Sequence, residues 1–421
     1  MRRSHKKTLQ KNDILFYGGM VALLSIPFLV YFTASSFFGG FVADEGGAKS
    51  SSSQVKEVES VLPETTQETT EEPVKALVKS EEAKQAVMEA DRASMEAMGL
   101  AYDYAHMTLV QVVQAYLADA GIDPSQIAFS YKNPATGHTF SMNETQPMTA
   151  GSTYKLPLNM LVVDAVVEGK LSLTERFDIT NTDYEYKFEH DAYVGQFGGA
   201  MTIPEMQEYS LVYSENTPAY ALADRLGGMD AAFAMMDKYG TSKGEIPTIR
   251  REDNKTTTDY YIQVLEHLYR NQEKYADIIY FMDLSFPGQY YETYLTHLRV
   301  VQKPGYVGEA LNVDAMVFEE SPYLIALYSR YLGGSTEMSD EVNGYGYMQL
   351  AALTYVINQW HRVNENGLAW QRLSYFKFWA GIENFCFWSS FQKRIEKRNE
   401  EVGWFPHFSL LIRNNHGREN W

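Results

Sequence analysis

The chain has 421 residues, of which 45% are hydrophobic and 21% are charged, as in a folded protein with room for one large domain and appendages. Its formal net charge of −18 repels the phosphates of DNA and RNA, so we expect no nucleic-acid partner. The single cysteine, Cys386, excludes an intramolecular disulfide and a cysteine-based zinc site, and we expect neither a metal nor a cofactor.

Residues 1–43 have the pattern of a membrane anchor. Five basic residues come first: Arg2, Arg3, Lys6, Lys7 and Lys11. No charged residue then occurs in 14–42, a run long enough to cross a bilayer. The basic flank predicts a cytoplasmic N-terminus, and therefore a single-pass bacterial membrane protein whose remaining chain is extracytoplasmic. The alternative is a signal peptide that is cleaved near 34–36.

Residues 44–100 predict an acidic, disordered linker between the anchor and a folded domain. Its serine run at 50–53 and its acidic, threonine-rich stretch at 64–73 contain no apolar pattern that could pack. The later stretch 80–98 could form a transient helix. The expected role is that of a spacer.

Residues 101–365 predict one folded domain. The spacing of apolar residues predicts helices, short strands and turns. The helical stretches are 108–120, a long block over 156–295 and 343–363, and the strands are 127–131, 138–142, 298–303, 311–318 and 322–330. Strands at both ends of an interpolated helical block predict an α/β fold: an α+β sandwich with a second, all-helical subdomain.

The tail at 366–421 differs in composition from the domain. All six tryptophans of the chain lie within 360–421, and five of them follow residue 366. We therefore predict that this tail is not part of the folded core. The alternative is a segment that binds the cell wall or a partner, because exposed aromatic residues often mark interaction surfaces.

The motif Ser-x-x-Lys begins at five serines, namely Ser4, Ser53, Ser152, Ser374 and Ser390. Only Ser152 follows predicted strands and directly precedes a strongly apolar helix. One helical turn places Lys155 beside Ser152, and a lysine buried there can lose its proton and accept that of the serine. The alternative is a serine that only caps a helix, beside a solvated lysine.

Two further motifs follow Ser152 at long intervals. Ser214-Glu215-Asn216 opens a helical stretch, and Lys303-Pro304-Gly305 ends a predicted strand. With these motifs in this order, residues 108–363 resemble the class A β-lactamases and the wider penicillin-binding fold. The resemblance implies that Ser152 is acylated, that Lys155 accepts its proton and that Ser214 relays a proton to the leaving group.

The resemblance also implies a substrate-binding set. Asn216 would hold a substrate amide, and Lys303, beside Gly305, would attract a substrate carboxylate. The backbone N–H groups of Ser152 and Tyr306 would form the oxyanion hole. The implied ligands are β-lactams or acyl compounds of the peptidoglycan type.

Two departures from the family pattern stand out. The lactamases carry a Glu-x-x-Leu-Asn loop whose glutamate activates the water that frees the acyl-enzyme, and this chain has none between Gly240 and Thr256. Glu245 and Glu252 are the candidates for a substitute water activator there. In addition, Pro304 replaces the usual threonine and lacks a hydroxyl.

Three hypotheses for the function follow. The first is a serine hydrolase or transferase that acts on cell-wall peptide or another acyl compound and releases the acyl group poorly. The second is a true β-lactamase with a substitute water activator. The third is a wall-binding or regulatory protein whose active site is vestigial.

Overall fold

The computed structural model describes residues 78–368. The anchor predicted over 14–42, the predicted linker up to residue 77 and the tail after residue 368 lie outside the described residues. Among the helices within 78–368, none combines the length and the apolar character that a membrane span needs.

The domain is organised around one antiparallel sheet. Its strands are β1 (Ile127–Lys132), β2 (Thr139–Met142), β7 (Arg299–Val307), β8 (Ala310–Phe318) and β9 (Tyr323–Ser329), in the order β2-β1-β9-β8-β7. Two small antiparallel pairs join β3 (Met148–Thr149) to β6 (Lys255–Thr256) and β4 (Arg176–Asp178) to β5 (Ala200–Thr202). The five main strands lie close to the positions predicted from the sequence.

Ten α-helices occur in the described part of the chain. They are α1 (Glu81–Met98), α2 (Leu109–Asp119), α3 (Lys155–Val167), α4 (Lys187–Gln196), α5 (Ile203–Leu211), α6 (Asn216–Asp224), α7 (Met229–Ala234), α8 (Thr258–Arg270), α9 (Ala276–Asp283) and α10 (Gly344–Asn364). Helices α3 to α9 form the predicted interpolated block between β3 and β7. The predicted α/β sandwich with its helical subdomain is confirmed.

Both faces of the sheet are buried, because side chains alternate between the two faces along each strand and helices cover each face. In β9 the side chains of Tyr323, Ile325 and Leu327 enter one hydrophobic core, and those of Leu324 and Ala326 enter the other. Successive side chains of a strand point to opposite faces, so a strand covered on both sides is apolar throughout. Helices α2 and α10 cover the first face, and the helical subdomain with α8 covers the second.

Helix α1 corrects the predicted boundary of the linker at residue 100. The side chain of Ser80 caps it at the start, and it ends at Gly99, whose φ of 68° is left-handed. Met95 is 2% exposed in the first core, and Asp91 accepts from Arg362 of α10 at 3.0 and 3.1 Å. The sequence predicted only a transient helix over 80–98, because the contacts with α10 that stabilise it cannot be read from its own residues.

Replacement of Met95 by alanine is expected to lower the free energy of unfolding by about 2–3 kcal/mol, because it removes a buried side chain and leaves a cavity. Urea denaturation measures the change. The exposed Glu96 of the same helix gives the matched control, since Glu96→Ala is expected to change stability by less than about 0.5 kcal/mol. Equal stabilities of the Met95→Ala variant and the parent would show that α1 does not belong to the folded domain.

A buried carboxylate ties α3 to the subdomain. Asp164, which is 3% exposed, accepts from Lys238 and Lys274 at 2.5 Å each and from the hydroxyls of Tyr239 and Tyr275 at 2.9 and 2.7 Å. Burial alone would raise the pKa of Asp164, but these four donors outweigh it and lower the pKa to about 2. Asp164 is therefore ionised throughout the physiological pH range.

Candidate active site

The first motif lies where a short 3-10 turn, Gly151–Tyr154, runs into α3. Lys155 is the first residue of α3 and is fully buried, and its Nζ lies 3.2 Å from Ser152 Oγ. The residue at the N-cap of α3 is Tyr154, not Ser152. The alternative of a capping serine beside a solvated lysine is therefore wrong for this copy of the motif.

The second motif contacts the same lysine. Lys155 Nζ also donates to the backbone carbonyl of Ser214 at 2.5 Å and to Asn216 Oδ1 at 2.6 Å. Ser214 has φ of 62°, a left-handed backbone conformation that is rare outside glycine. This conformation lets one residue present its carbonyl to Lys155 and its hydroxyl to the third motif.

The third motif completes the group. Lys303, fully buried in β7, donates from Nζ to Ser214 Oγ at 2.8 Å. Burial, followed by the nearby charge of Lys155, holds the pKa of Lys303 well below its usual range. Asp314 stands opposite Lys303 on β8, and burial raises its pKa well above the usual value. A Lys303 with so low a pKa can exchange a proton with the Ser214 hydroxyl.

Two glycines bring β7 close to the nucleophile. A Cβ atom on Gly151, whose φ is 59°, would lie 3.0 Å from the backbone nitrogen of Tyr306. A Cβ atom on Gly305 would lie 2.6 Å from the carbonyl oxygen of Ala150. Any larger residue at either position would push the strand away, so these glycines set the approach of the Tyr306 backbone to Ser152.

Two carboxylates that the sequence did not point to reach Asn216. Glu185 Oε2 accepts from Asn216 Nδ2 at 2.8 Å. Glu189 Oε1 accepts from the backbone N–H groups of Asn216 and Thr217, at 2.8 and 2.5 Å. Both glutamates lie in or just before α4, in a stretch without a recognisable motif, and only the folded chain brings them to α6.

The candidate water activators lie elsewhere on the surface. Glu245, whose side chain is 79% exposed, pairs with Arg250 at 3.7 Å, and Glu252 is also exposed. The structure therefore does not group them with the buried lysines. Pro304 is paired with Val313 of β8, and Asn312 of the same strand donates to the backbone carbonyl oxygens of residues 149 and 150.

Comparison with known proteins identifies the same family that the three motifs resemble. The model of the β-lactamase enzyme family matches residues 108–343, which is more than half of the chain. No curated protein sequence matches significantly.

Solved structures match at low identity. A β-lactamase from Xanthomonas campestris pv. campestris is 17% identical, with a TM-score of 0.50 over 59% of this chain and 97% of that one. A β-lactamase from Burkholderia vietnamiensis is 18% identical, with a TM-score of 0.50 over 62% and 98%. At such identities the likeness shows the fold alone, and the family match shows which family the chain belongs to. The chain belongs to the β-lactamase enzyme family and has its serine hydrolase fold.

Proposed function

We propose that the protein is an extracytoplasmic, membrane-anchored serine hydrolase that becomes acylated at Ser152 by a β-lactam or by a cell-wall peptide or ester, and that releases the acyl group slowly. One observation carries the proposal: the Nζ of a fully buried lysine, Lys155, lies 3.2 Å from Ser152 Oγ. A nucleophile with a base at hydrogen-bond distance is the arrangement that acyl transfer needs.

Acylation can be followed atom by atom. Neutral Lys155 takes the proton of Ser152 Oγ, and the oxygen bonds to the substrate carbonyl carbon. The backbone N–H groups of Ser152 and Tyr306 stabilise the charge on the carbonyl oxygen. As the tetrahedral intermediate collapses, the bond to the leaving group breaks and Ser214 gives that group its proton. The proton that Lys155 took from Ser152 then returns to Ser214, directly or through Lys303, whose Nζ lies 2.8 Å from Ser214 Oγ, so that the step closes without a net gain or loss of protons.

Slow release of the acyl group follows from the loop between Gly240 and Thr256. In this loop Glu245 and Glu252 are exposed to solvent, and Glu245 is engaged with Arg250. A carboxylate exposed in that way is not positioned to hold a water molecule against an acyl group on Ser152. The anchor predicted over 14–42 motivates the proposed location outside the membrane.

The test is an intact-mass measurement on residues 78–368 after incubation with a penicillin. We expect a mass increase of one penicillin that persists for minutes or longer, because neither Glu245 nor Glu252 is in position to activate water. Glu245→Gln and Glu252→Gln are expected to leave the rate of acylation and the rate of acyl release unchanged. Rapid and sustained hydrolysis of the penicillin would contradict slow release, and the absence of any adduct would favour a vestigial site.

A further inference from the structure

We propose that Glu185 is a positioning residue for acylation: it fixes the orientation of the Asn216 amide, so that the lone pair of neutral Lys155 faces Ser152. Glu189 supports this role by fixing the backbone of Asn216. The inference rests on the proposed function, because it concerns the acylation step at Ser152.

The hydrogen bonds of Lys155 determine where its lone pair points. Neutral lysine has two N–H donors and one lone pair. The carbonyl of Ser214, at 2.5 Å, accepts only, and so does Asn216 Oδ1, at 2.6 Å. When these two oxygens take both N–H bonds, the lone pair is left for the third neighbour, Ser152 Oγ at 3.2 Å, which can donate.

This arrangement requires that Asn216 presents its oxygen, rather than its nitrogen, to Lys155. An amide rotated by 180° would place its NH₂ group against Lys155, where an N–H donor would occupy the lone pair. Glu185 prevents the rotation, because its carboxylate accepts from Asn216 Nδ2 at 2.8 Å and would repel the amide oxygen in the rotated state. Glu185 therefore acts on Ser152 through two intermediates, Asn216 and Lys155.

The backbone of Asn216 is held from the same segment. Asn216 is the first residue of α6, and the N-cap residue Glu215 makes no capping hydrogen bond with its side chain. Glu189 supplies that cap from α4, because its Oε1 accepts from the N–H groups of Asn216 and Thr217. One segment of chain thus fixes both the backbone and the side chain of the residue that orients Lys155.

The test compares acylation rates of the full chain in detergent, with a fluorescent penicillin as the probe. We expect Glu185→Ala to slow acylation about 10- to 100-fold, the effect of losing a hydrogen bond to a charged group. Glu185→Gln should recover only part of this loss, since its amide oxygen can accept from Asn216 Nδ2 but its NH₂ group can also donate to the oxygen of a rotated Asn216. Lys187→Ala, in the same exposed segment and paired with Asp191, should react like the parent.

Hydrogen–deuterium exchange gives a readout that does not depend on acylation. We expect Glu189→Ala to accelerate exchange in the peptide that covers 214–219, and Glu189→Gln to restore protection, because glutamine can still accept from both N–H groups. Unchanged exchange in Glu189→Ala would show that Glu189 does not cap the start of α6.

The outcomes separate the two proposals. A parent protein that reacts, with Glu185→Ala reacting equally fast, would overturn the positioning role and leave the proposed function intact. Glu185→Gln reacting more slowly than Glu185→Ala would also contradict it, because a side chain that can accept from Asn216 Nδ2 would then favour the productive orientation less than no side chain at all. A parent protein that forms no adduct would overturn the proposed function, and the role of Glu185 in acylation with it.

Discussion

Replacing Lys155 by alanine is expected to slow acylation of Ser152 by roughly 10²- to 10⁴-fold, the usual cost of removing a general base. In the proposed mechanism the Nζ atom of Lys155 is the base: it lies 3.2 Å from Ser152 Oγ, in a fully buried position where bulk water does not readily replace it. Rapid mixing with a chromogenic β-lactam, followed by intact-mass analysis, measures the rate of adduct formation.

Two controls make this result specific. Ser152→Ala should form no adduct, because Ser152 alone of the five Ser-x-x-Lys serines follows predicted strands and directly precedes a strongly apolar helix. Lys170→Ala removes a lysine that pairs with Glu168 on the surface, and the rate should not change. An unaltered rate in Lys155→Ala would remove the lysine from the mechanism, and an adduct that persists in Ser152→Ala would place the nucleophile elsewhere.

The largest effect on stability is expected at Asp164. Asp164→Asn should lower the free energy of unfolding by about 2–4 kcal/mol, since it leaves Lys238 and Lys274 without their shared carboxylate and turns an N–H donor toward other donors. Urea denaturation at pH 7 measures the loss. Asp230→Asn, whose side chain is 85% exposed, should change stability by less than about 0.5 kcal/mol.

The pKa of Asp164 adds a pH dependence with a defined sign. The folded-state pKa of about 2 lies below the ordinary value of 3.8, so the carboxylate contributes stability at pH values above 3.8. That contribution, on the order of 2 kcal/mol, is lost as the pH falls from about 5 toward 2. Asp164→Asn should therefore lose less stability than the parent between pH 5 and pH 2.5. Parallel stability curves for the two proteins would contradict the lowered pKa.

The main strands and the catalytic motifs could be predicted from the sequence because each depends on local signals. Strands β7, β8 and β9 are rich in apolar residues, and each of the three motifs stands beside a strand or helix that is recognisable from its neighbours. Ser152, Lys155, Ser214, Asn216 and Lys303 then meet because the fold brings the ends of these elements together. The roles assigned to them stay predictions until the variants are measured.

Other features could not be predicted, because they depend on contacts between distant segments. Helix α1 was predicted only as a transient helix, and its contacts with α10 show why it is folded. Glu185 and Glu189 have no motif, and their importance depends on the distance from α4 to the start of α6. Conversely, Glu245 and Glu252 were candidates by composition alone, and the structure leaves both exposed.

The contact between α1 and α10 also determines how the domain would respond to a pulling force. Lys79, just before α1, donates to the carbonyl of Arg362 near the end of α10, and Gly367 is hydrogen-bonded to Ser321. The described chain thus enters and leaves the domain at one edge. Tension applied between residues 78 and 368 would therefore act first on the contact between α1 and α10 at this edge, before it reached the strand that carries Lys303.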